Sequence, residues 1–237
     1  MFNLKKSKEN YTTKGKNVLL SNSSPWRVQE AYRSLRTNII FSLADDKCRV
    51  IGITSAYSHD GKSVNSINIA ISFAQINKKV LLIEGDLRLP AIADTLGILS
   101  TCGLSDVIVG EASLKDALYV DKEHGVDIIP AGTKPPDATW ILQSPKMDQL
   151  LKELRLEYDY IIIDLPPALA VTDAMILANE IDGYLVIVRH NVAEINDVLD
   201  LFAVIENAKG RILGVVYNMA ETNEKGYYYN RYNPIIP

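Results

Sequence analysis

Short, nearly continuous runs of Val, Ile and Leu recur along the chain, and between them the apolar positions fall every three or four residues instead. RVIGITS (49–55), KVLLIEGD (79–86), VDIIPAG (126–132), YDYIIIDLPP (158–167), GYLVIVRH (183–190) and RILGVVYN (211–218) predict strands. A strand wet on one side alternates, so these continuous runs belong to strands buried on both faces. Helical spacing predicts helices over 61–77, 144–157 and 193–208, a further one over 172–180, and short pieces near 91–96, 104–109 and 113–118. Ser144 caps the 144–157 helix and Pro145 takes its first position, where a missing N–H costs nothing. The segment PWRVQEAYRSLRTNIIFSL (25–43) reads as a helix opened by Pro25, with Val28, Tyr32, Leu35 and Ile39 at steps of four, three and four. Strands alternating with helices imply an α/β fold: a three-layer α/β/α arrangement around a mostly parallel sheet with right-handed crossovers.

The ends break the pattern. Residues 1–24 are polar and predict a flexible arm, with lysines 5, 6, 8, 14 and 16 against Glu9. That basic charge fits a solvated arm or a contact with a membrane surface. Residues 220–237 end in GYYYNRYNPIIP, which has neither strand alternation nor a helical stripe. Tyr227, Tyr228, Tyr229 and Tyr232 therefore predict exposed phenols on a flexible tail. The remainder, 25–219, reads as one domain.

Composition narrows the class. At 237 residues, 47% apolar and 23% charged, the chain has enough material for a substantial core. No apolar run approaches the ~20 residues that span a bilayer, and the polar opening MFNLKKSKEN carries no secretory pattern. Cys48 and Cys102 lie far apart without metal-ligand spacing, which points away from zinc or a disulfide framework and towards a reducing cytoplasm. A net charge of −4 gives no sign of a nucleic-acid partner.

Ligands of such sheets bind beyond the carboxyl ends of the strands. The first predicted strand runs into TSAYSHDGKSV (54–64), where Gly61, Lys62 and Ser63 match the end of a phosphate loop and Ala56 stands at its usual first glycine. Backbone N–H groups of Ser58, His59, Asp60, Gly61, Lys62, Ser63 and Val64 and the positive end of the next helix suit phosphate. Lys62 would reach the β- and γ-phosphates, and the Ser63 hydroxyl would hold Mg²⁺. The second strand delivers Glu84, Asp86 and Arg88 to its carboxyl end, and YIIID delivers Asp164. Carboxylates beside a phosphate loop bind Mg²⁺ or accept a proton from an attacking hydroxyl. Together these motifs imply a P-loop NTPase fold.

From about residue 26 to its end, the chain resembles the bacterial tyrosine kinases (BY-kinases). The likeness is to the separate cytosolic kinase subunit of Gram-positive capsule and exopolysaccharide systems. The residues that carry it are EAYRSLRTNI (30–39), matching an E-x-x-R-x-x-R helix, SAYSHDGKS as Walker A, VLLIEGDLRLP as Walker A′, YDYIIIDLPP as Walker B, and the tyrosine tail. The resemblance implies ATP- and Mg²⁺-dependent phosphorylation of tyrosine. Lys62, Glu84, Asp86 and Asp164 would be catalytic, Ser63, Asp86 and Asp164 would hold metal, and Asn218 would contact the base. Tyr227, Tyr228, Tyr229 and Tyr232 would be acceptors, phosphorylated in trans, and Glu30, Arg33 and Arg36 would meet a neighbouring copy in an octameric ring. It also implies a transmembrane polysaccharide co-polymerase as activator, a tyrosine phosphatase that reverses the reaction, and a peripheral position at the inner face of the membrane.

Three residues depart from that family's pattern. His59 and Ser58 replace a glycine and a proline, and Glu84 replaces an aspartate, so its carboxylate is displaced by about 1 Å. Two other readings stay open on the residues: an ATPase switch of the partition and septum-placing type, and a nucleotide-binding adaptor.

Overall fold

The computed structural model describes residues 18–43, 49–99 and 102–220. Seven strands form one sheet: β1 (Arg49–Ser55), β2 (Val80–Glu84), β3 (Tyr119–Asp121), β4 (Val126–Ile129), β5 (Tyr160–Asp164), β6 (Gly183–Arg189) and β7 (Ile212–Asn218). Their spatial order is β3-β4-β2-β5-β1-β6-β7, all parallel except β3. β1 is buried along its whole length, as its unbroken apolar run requires.

Helices cover both faces. On one, α1 (Trp26–Ser42), α2 (Lys62–Ala74) and α3 (Ile92–Leu96) enclose a core that includes Ile39, Ile67, Ile71, Phe73 and Ile92. On the other, α4 (Leu104–Val109), α5 (Leu114–Ala117), α6 (Ala138–Leu142), α7 (Pro145–Leu154), α8 (Asp173–Ile176) and α9 (Ile195–Asn207) enclose a second core around Leu104, Ile141, Leu151, Leu201 and Ile205. This is the expected three-layer α/β/α arrangement. The Ser144 hydroxyl accepts from the Met147 N–H, so α7 has the predicted cap with Pro145 behind it.

Several expectations need correction. The edge strand β3 and the short helix α6 were not anticipated, because three and five residues are too few to show a period. The helix expected over 172–180 is a single turn, α8. The arm expected through residue 24 ends sooner. Leu19 and Leu20 are buried, the Leu20 N–H donates to Asn68 Oδ1 at 2.7 Å, and Asn68 Nδ2 donates to the Val18 carbonyl at 2.9 Å. Two leucines in a row were enough to tie this segment to α2. The lysines of the arm, Cys48 and the four tail tyrosines lie outside the described residues.

Candidate active site

β1 lies between β5 and β6, so the loop that follows it opens into the crevice at the carboxyl end of the sheet. That loop is wound tightly. Asp60 Oδ2 accepts from the Tyr57 N–H at 3.1 Å, and the Ser55 hydroxyl donates to the Tyr57 carbonyl at 2.6 Å. His59 takes φ 65° and Gly61 takes φ 90°, both in the left-handed region. The sequence substitution at His59 therefore falls where glycine would cost least. Gly61 is required twice over, since a Cβ there would lie 2.2 Å from Asn218 Nδ2. Asn218, at the end of β7, donates from that amide to the Asp60 carbonyl at 2.7 Å, and Arg189 Nη1 reaches the His59 carbonyl at 3.3 Å. The end of β6 and the end of β7 thus brace the loop from one side.

The loop closes one wall of a cavity of about 270 Å³ lined by Ser58, His59, Gly61, Lys62, Ser63 and Val64 and, opposite them, Asp86, Leu89, Ala91 and Thr95. Six of the expected phosphate-loop residues and one expected carboxylate therefore face a common space. Asp60 turns inward instead, where its side chain holds the turn. A larger cavity of about 410 Å³ lies elsewhere, against Trp140, Pro135 and Pro136, away from the phosphate loop.

Behind the loop, Glu84 and Asp164 are register partners at the ends of β2 and β5. Asp164 is fully buried, and its Oδ1 accepts from the Ser66 hydroxyl at 2.8 Å while its Oδ2 has no partner. Burial pushes its carboxyl up to about 6, against the opposing pull of the Ser63 and Ser66 hydroxyls and the Lys62 charge. Burial, and then the neighbouring Asp164, raise Glu84 well above the usual carboxylate range. An unpartnered buried carboxylate oxygen costs free energy unless something arrives to meet it. Hard oxygen donors beside a phosphate loop fit a divalent cation such as Mg²⁺, which typically keeps one or two carboxylates and completes its shell with phosphates and water.

Other expected residues are placed less simply. Glu84 directs Oε2 to the Ala91 and Ile92 N–H groups, at 2.9 and 2.7 Å, rather than towards Lys62. On α1, Glu30 and Arg33 pair with each other at 3.5 Å on the exposed side. Arg36 instead bonds inward, to the Ser72 carbonyl and, at 3.2 Å, to the Ser72 hydroxyl on α2. The sequence reading missed two participants. Ser66 lies one turn beyond Lys62, so helical spacing from the GKS motif would have found it. Asp173, 1% exposed, grips Arg88 through two bonds of 2.6 and 3.0 Å with Thr139 closing the group. No local spacing joins positions 88, 139 and 173.

The comparisons with known proteins agree with this geometry. Residues 48–214 match the AAA domain family model. Tyrosine-protein kinase YwqD of Bacillus subtilis (strain 168) is 36% identical over 202 residues, which cover 84% of this chain and 85% of that one. The crystal structure of the chimerical protein CapA2B2 superposes with a TM-score of 0.83 at 26% identity, covering 87% of this chain and 91% of that one. The septum site-determining protein MinD from Pyrococcus horikoshii OT3, complexed with Mg-ADP, gives a TM-score of 0.63 at 27% identity, covering 75% and 72%. The fold is that of a P-loop NTPase, and the chain belongs to the bacterial tyrosine-protein kinase family.

Proposed function

We propose that this chain is an ATP- and Mg²⁺-dependent protein-tyrosine kinase whose acceptors are Tyr227, Tyr228, Tyr229 and Tyr232 on the tail of a neighbouring copy. The observation that carries the reading is the unpartnered Oδ2 of Asp164 buried behind Ser63 and Lys62, with Asp86 across the cavity. A phosphate loop alone would suit any nucleotide binder. A buried carboxylate oxygen left without a partner behind it adds a place for the cation that accompanies a triphosphate.

Lys62 and the backbone N–H groups of 58–64 would hold the phosphates, and Ser63, Asp86 and Asp164 the Mg²⁺. When bound, the cation supplies positive charge against the β- and γ-phosphate oxygens. The chain's own contribution is positioning. β1 and α2 fix the loop, and Ser66 orients Asp164. Asn218, bonded to the Asp60 carbonyl, would contact the base.

Each phosphotyrosine carries about −1.5 to −2 charges at pH 7. Four would add roughly −6 to −8 to a chain of net charge −4. That charge would repel neighbouring subunits and drive the tail from an acidic site, so phosphorylation would open a ring built through Glu30, Arg33 and Arg36. The polysaccharide pathway, a membrane co-polymerase as activator, an opposing phosphatase and a peripheral position at the membrane follow from the family resemblance. No helix among the described residues is long and apolar enough to cross a membrane itself.

The likeness to MinD with Mg-ADP favours a second reading, an ATPase switch without protein modification. One experiment separates the two. The full chain is stripped with a tyrosine phosphatase, freed of it, and given Mg·ATP with the cytoplasmic segment of its co-polymerase. Intact and peptide masses are then read against Lys62→Met. Phosphate on residues 227–232 in the wild type alone supports the kinase. Phosphate release without phosphotyrosine supports the switch.

A further inference from the structure

The residues between β2 and α3 carry Asp86 and Arg88, and the chain fastens this loop at both ends. Glu84, 1% exposed, closes it at the α3 end: one carboxylate oxygen accepts two backbone N–H groups, from Ala91 at 2.9 Å and Ile92 at 2.7 Å. The Asp86 Oδ1 accepts from the Leu89 N–H at 3.0 Å inside the loop, and Arg88 is bound to Asp173. The two carboxylates differ in what they face. Asp86 lines the nucleotide cavity with Lys62 and Ser63. Glu84 does not, but the residues it holds do: Ala91 lines the cavity, and so does Thr95, whose hydroxyl donates to the Ala91 carbonyl at 2.6 Å.

We infer that Glu84 is a positioning residue: it fixes the cavity wall formed by Ala91 and Thr95 and the loop that carries Asp86, and it does not take the phenolic proton. The inference rests on the kinase reading of this site. The extra methylene of glutamate carries its carboxylate about 1 Å further than aspartate would, far enough to meet the first turn of α3. Both bonds hold Glu84 Oε2 against the first turn of α3, its Oε1 is buried without a partner among the described residues, and Glu84 is not among the residues that line the cavity, whereas Asp86 is.

The test uses the full chain with Mg·ATP and the activating segment, comparing Glu84→Gln, Glu84→Ala and Asp86→Asn. The Gln amide oxygen still accepts both N–H groups, so Glu84→Gln should lower kcat by no more than about threefold, with KM for ATP near the wild-type value. Glu84→Ala should raise KM about tenfold with a smaller effect on kcat, because the wall loosens. Asp86→Asn, which removes a carboxylate proposed to hold Mg²⁺, should lower kcat by about 100-fold or more. A folded Glu84→Gln whose kcat falls as far as that of Asp86→Asn would overturn the inference. Should Glu84→Ala fail to fold, the Gln and Asn variants still decide. A wild type that forms no phosphotyrosine sinks the kinase reading alone. The same proteins are then ranked by phosphate release, or, without turnover, by the Kd of a fluorescent adenine nucleotide. There, rescue by Gln of what Ala loses supports the positioning role, and equal loss in both refutes it.

Discussion

α1 and α2 pack against each other on the same face of the sheet, yet they are built on opposite terms. α2 buries ten of its thirteen residues, among them the polar Lys62, Asn65, Ser66, Asn68 and Ser72. Each of the four uncharged ones has a partner: Tyr32 for Asn65, Asp164 for Ser66, Leu20 for Asn68 and Arg36 for Ser72. α1 is longer, at seventeen residues, and fully buries only Ile39, while Phe41 stands 77% exposed. A helix whose polar groups are committed inside the molecule is a rigid support for a site. α1 instead keeps its Glu30–Arg33 pair on the exposed side, where another surface can meet it. Arg36 belongs to both, reaching from α1 into α2. Under the proposed function, the catalytic and the assembly roles would fall on two neighbouring helices.

The largest expected effect comes from breaking the entry to α2. Gly61→Ala puts a Cβ at φ 90° and 2.2 Å from Asn218 Nδ2, so the bond that braces the loop must give way. A left-handed non-glycine residue costs roughly 1–2 kcal/mol, and a lost buried hydrogen bond adds roughly 1–3 kcal/mol. Thermal unfolding should report a loss of about 2–5 kcal/mol, and isothermal titration a nucleotide affinity reduced about 100-fold.

Asp164 sharpens the account of α2 as a support. Its folded pKa, about 6, is raised from 3.8, so the folded state prefers the protonated form. The stability this contributes is fully present below about pH 4 and is lost as pH rises through about 6. Without Mg²⁺, stability should fall across that window by up to ~3 kcal/mol. Asp164→Asn should reduce the slope, leaving the part that buried Glu84 contributes, and abolish the gain in Tm that Mg·ATP gives the wild type at pH 7.5. A variant that keeps both the slope and the Mg·ATP response would mean that Asp164 is not the group concerned.

The seam between the helices gives the next step down. Arg36→Ala removes charge-assisted bonds to the Ser72 carbonyl and hydroxyl and should cost about 2 kcal/mol. Arg33→Ala removes an exposed pair with Glu30 and should cost no more than ~0.5 kcal/mol. Sedimentation of the same two variants asks the complementary question. If Arg33→Ala dissociates the oligomer while leaving Tm in place, α1 is an interface helix; unchanged sedimentation would remove it from the interface.

The sheet was legible because parallel strands buried on both faces leave a signal that needs no context, and all six of its parallel strands were anticipated, although β7 at the sheet edge leaves Val215 and Tyr217 exposed and is not buried on both faces. The phosphate loop was legible because Gly61, Lys62 and Ser63 follow a strand and open a helix. What the sequence hid is relational. The Asn65, Ser66 and Asn68 side chains look like a solvent face until Tyr32, Asp164 and Leu20 fold over them. Val28 stands on the apolar stripe of α1, yet it is 38% exposed, since a stripe of apolar spacing does not say how much of it finds a partner. Glu84 looked like a displaced base. Only the position of α3 reveals what its longer side chain reaches.

The smallest expected effect tests the loop that leads into α2. His59 holds φ 65°, a conformation costing a non-glycine residue roughly 1–2 kcal/mol. Replacing it with glycine removes that cost but frees the unfolded chain, which takes back roughly 0.5–1 kcal/mol. The two terms leave a net stabilisation of ~0.5 kcal/mol, or a rise in Tm of about 1–2 °C for a domain of this size. The His59 carbonyl that Arg189 reaches at 3.3 Å belongs to the backbone and survives the change. If His59→Gly raises Tm and leaves nucleotide affinity alone, the histidine is strain that this loop tolerates. If affinity falls although Tm rises, its ring contributes to holding phosphate, and the departure from glycine is a gain for binding at a small expense in stability.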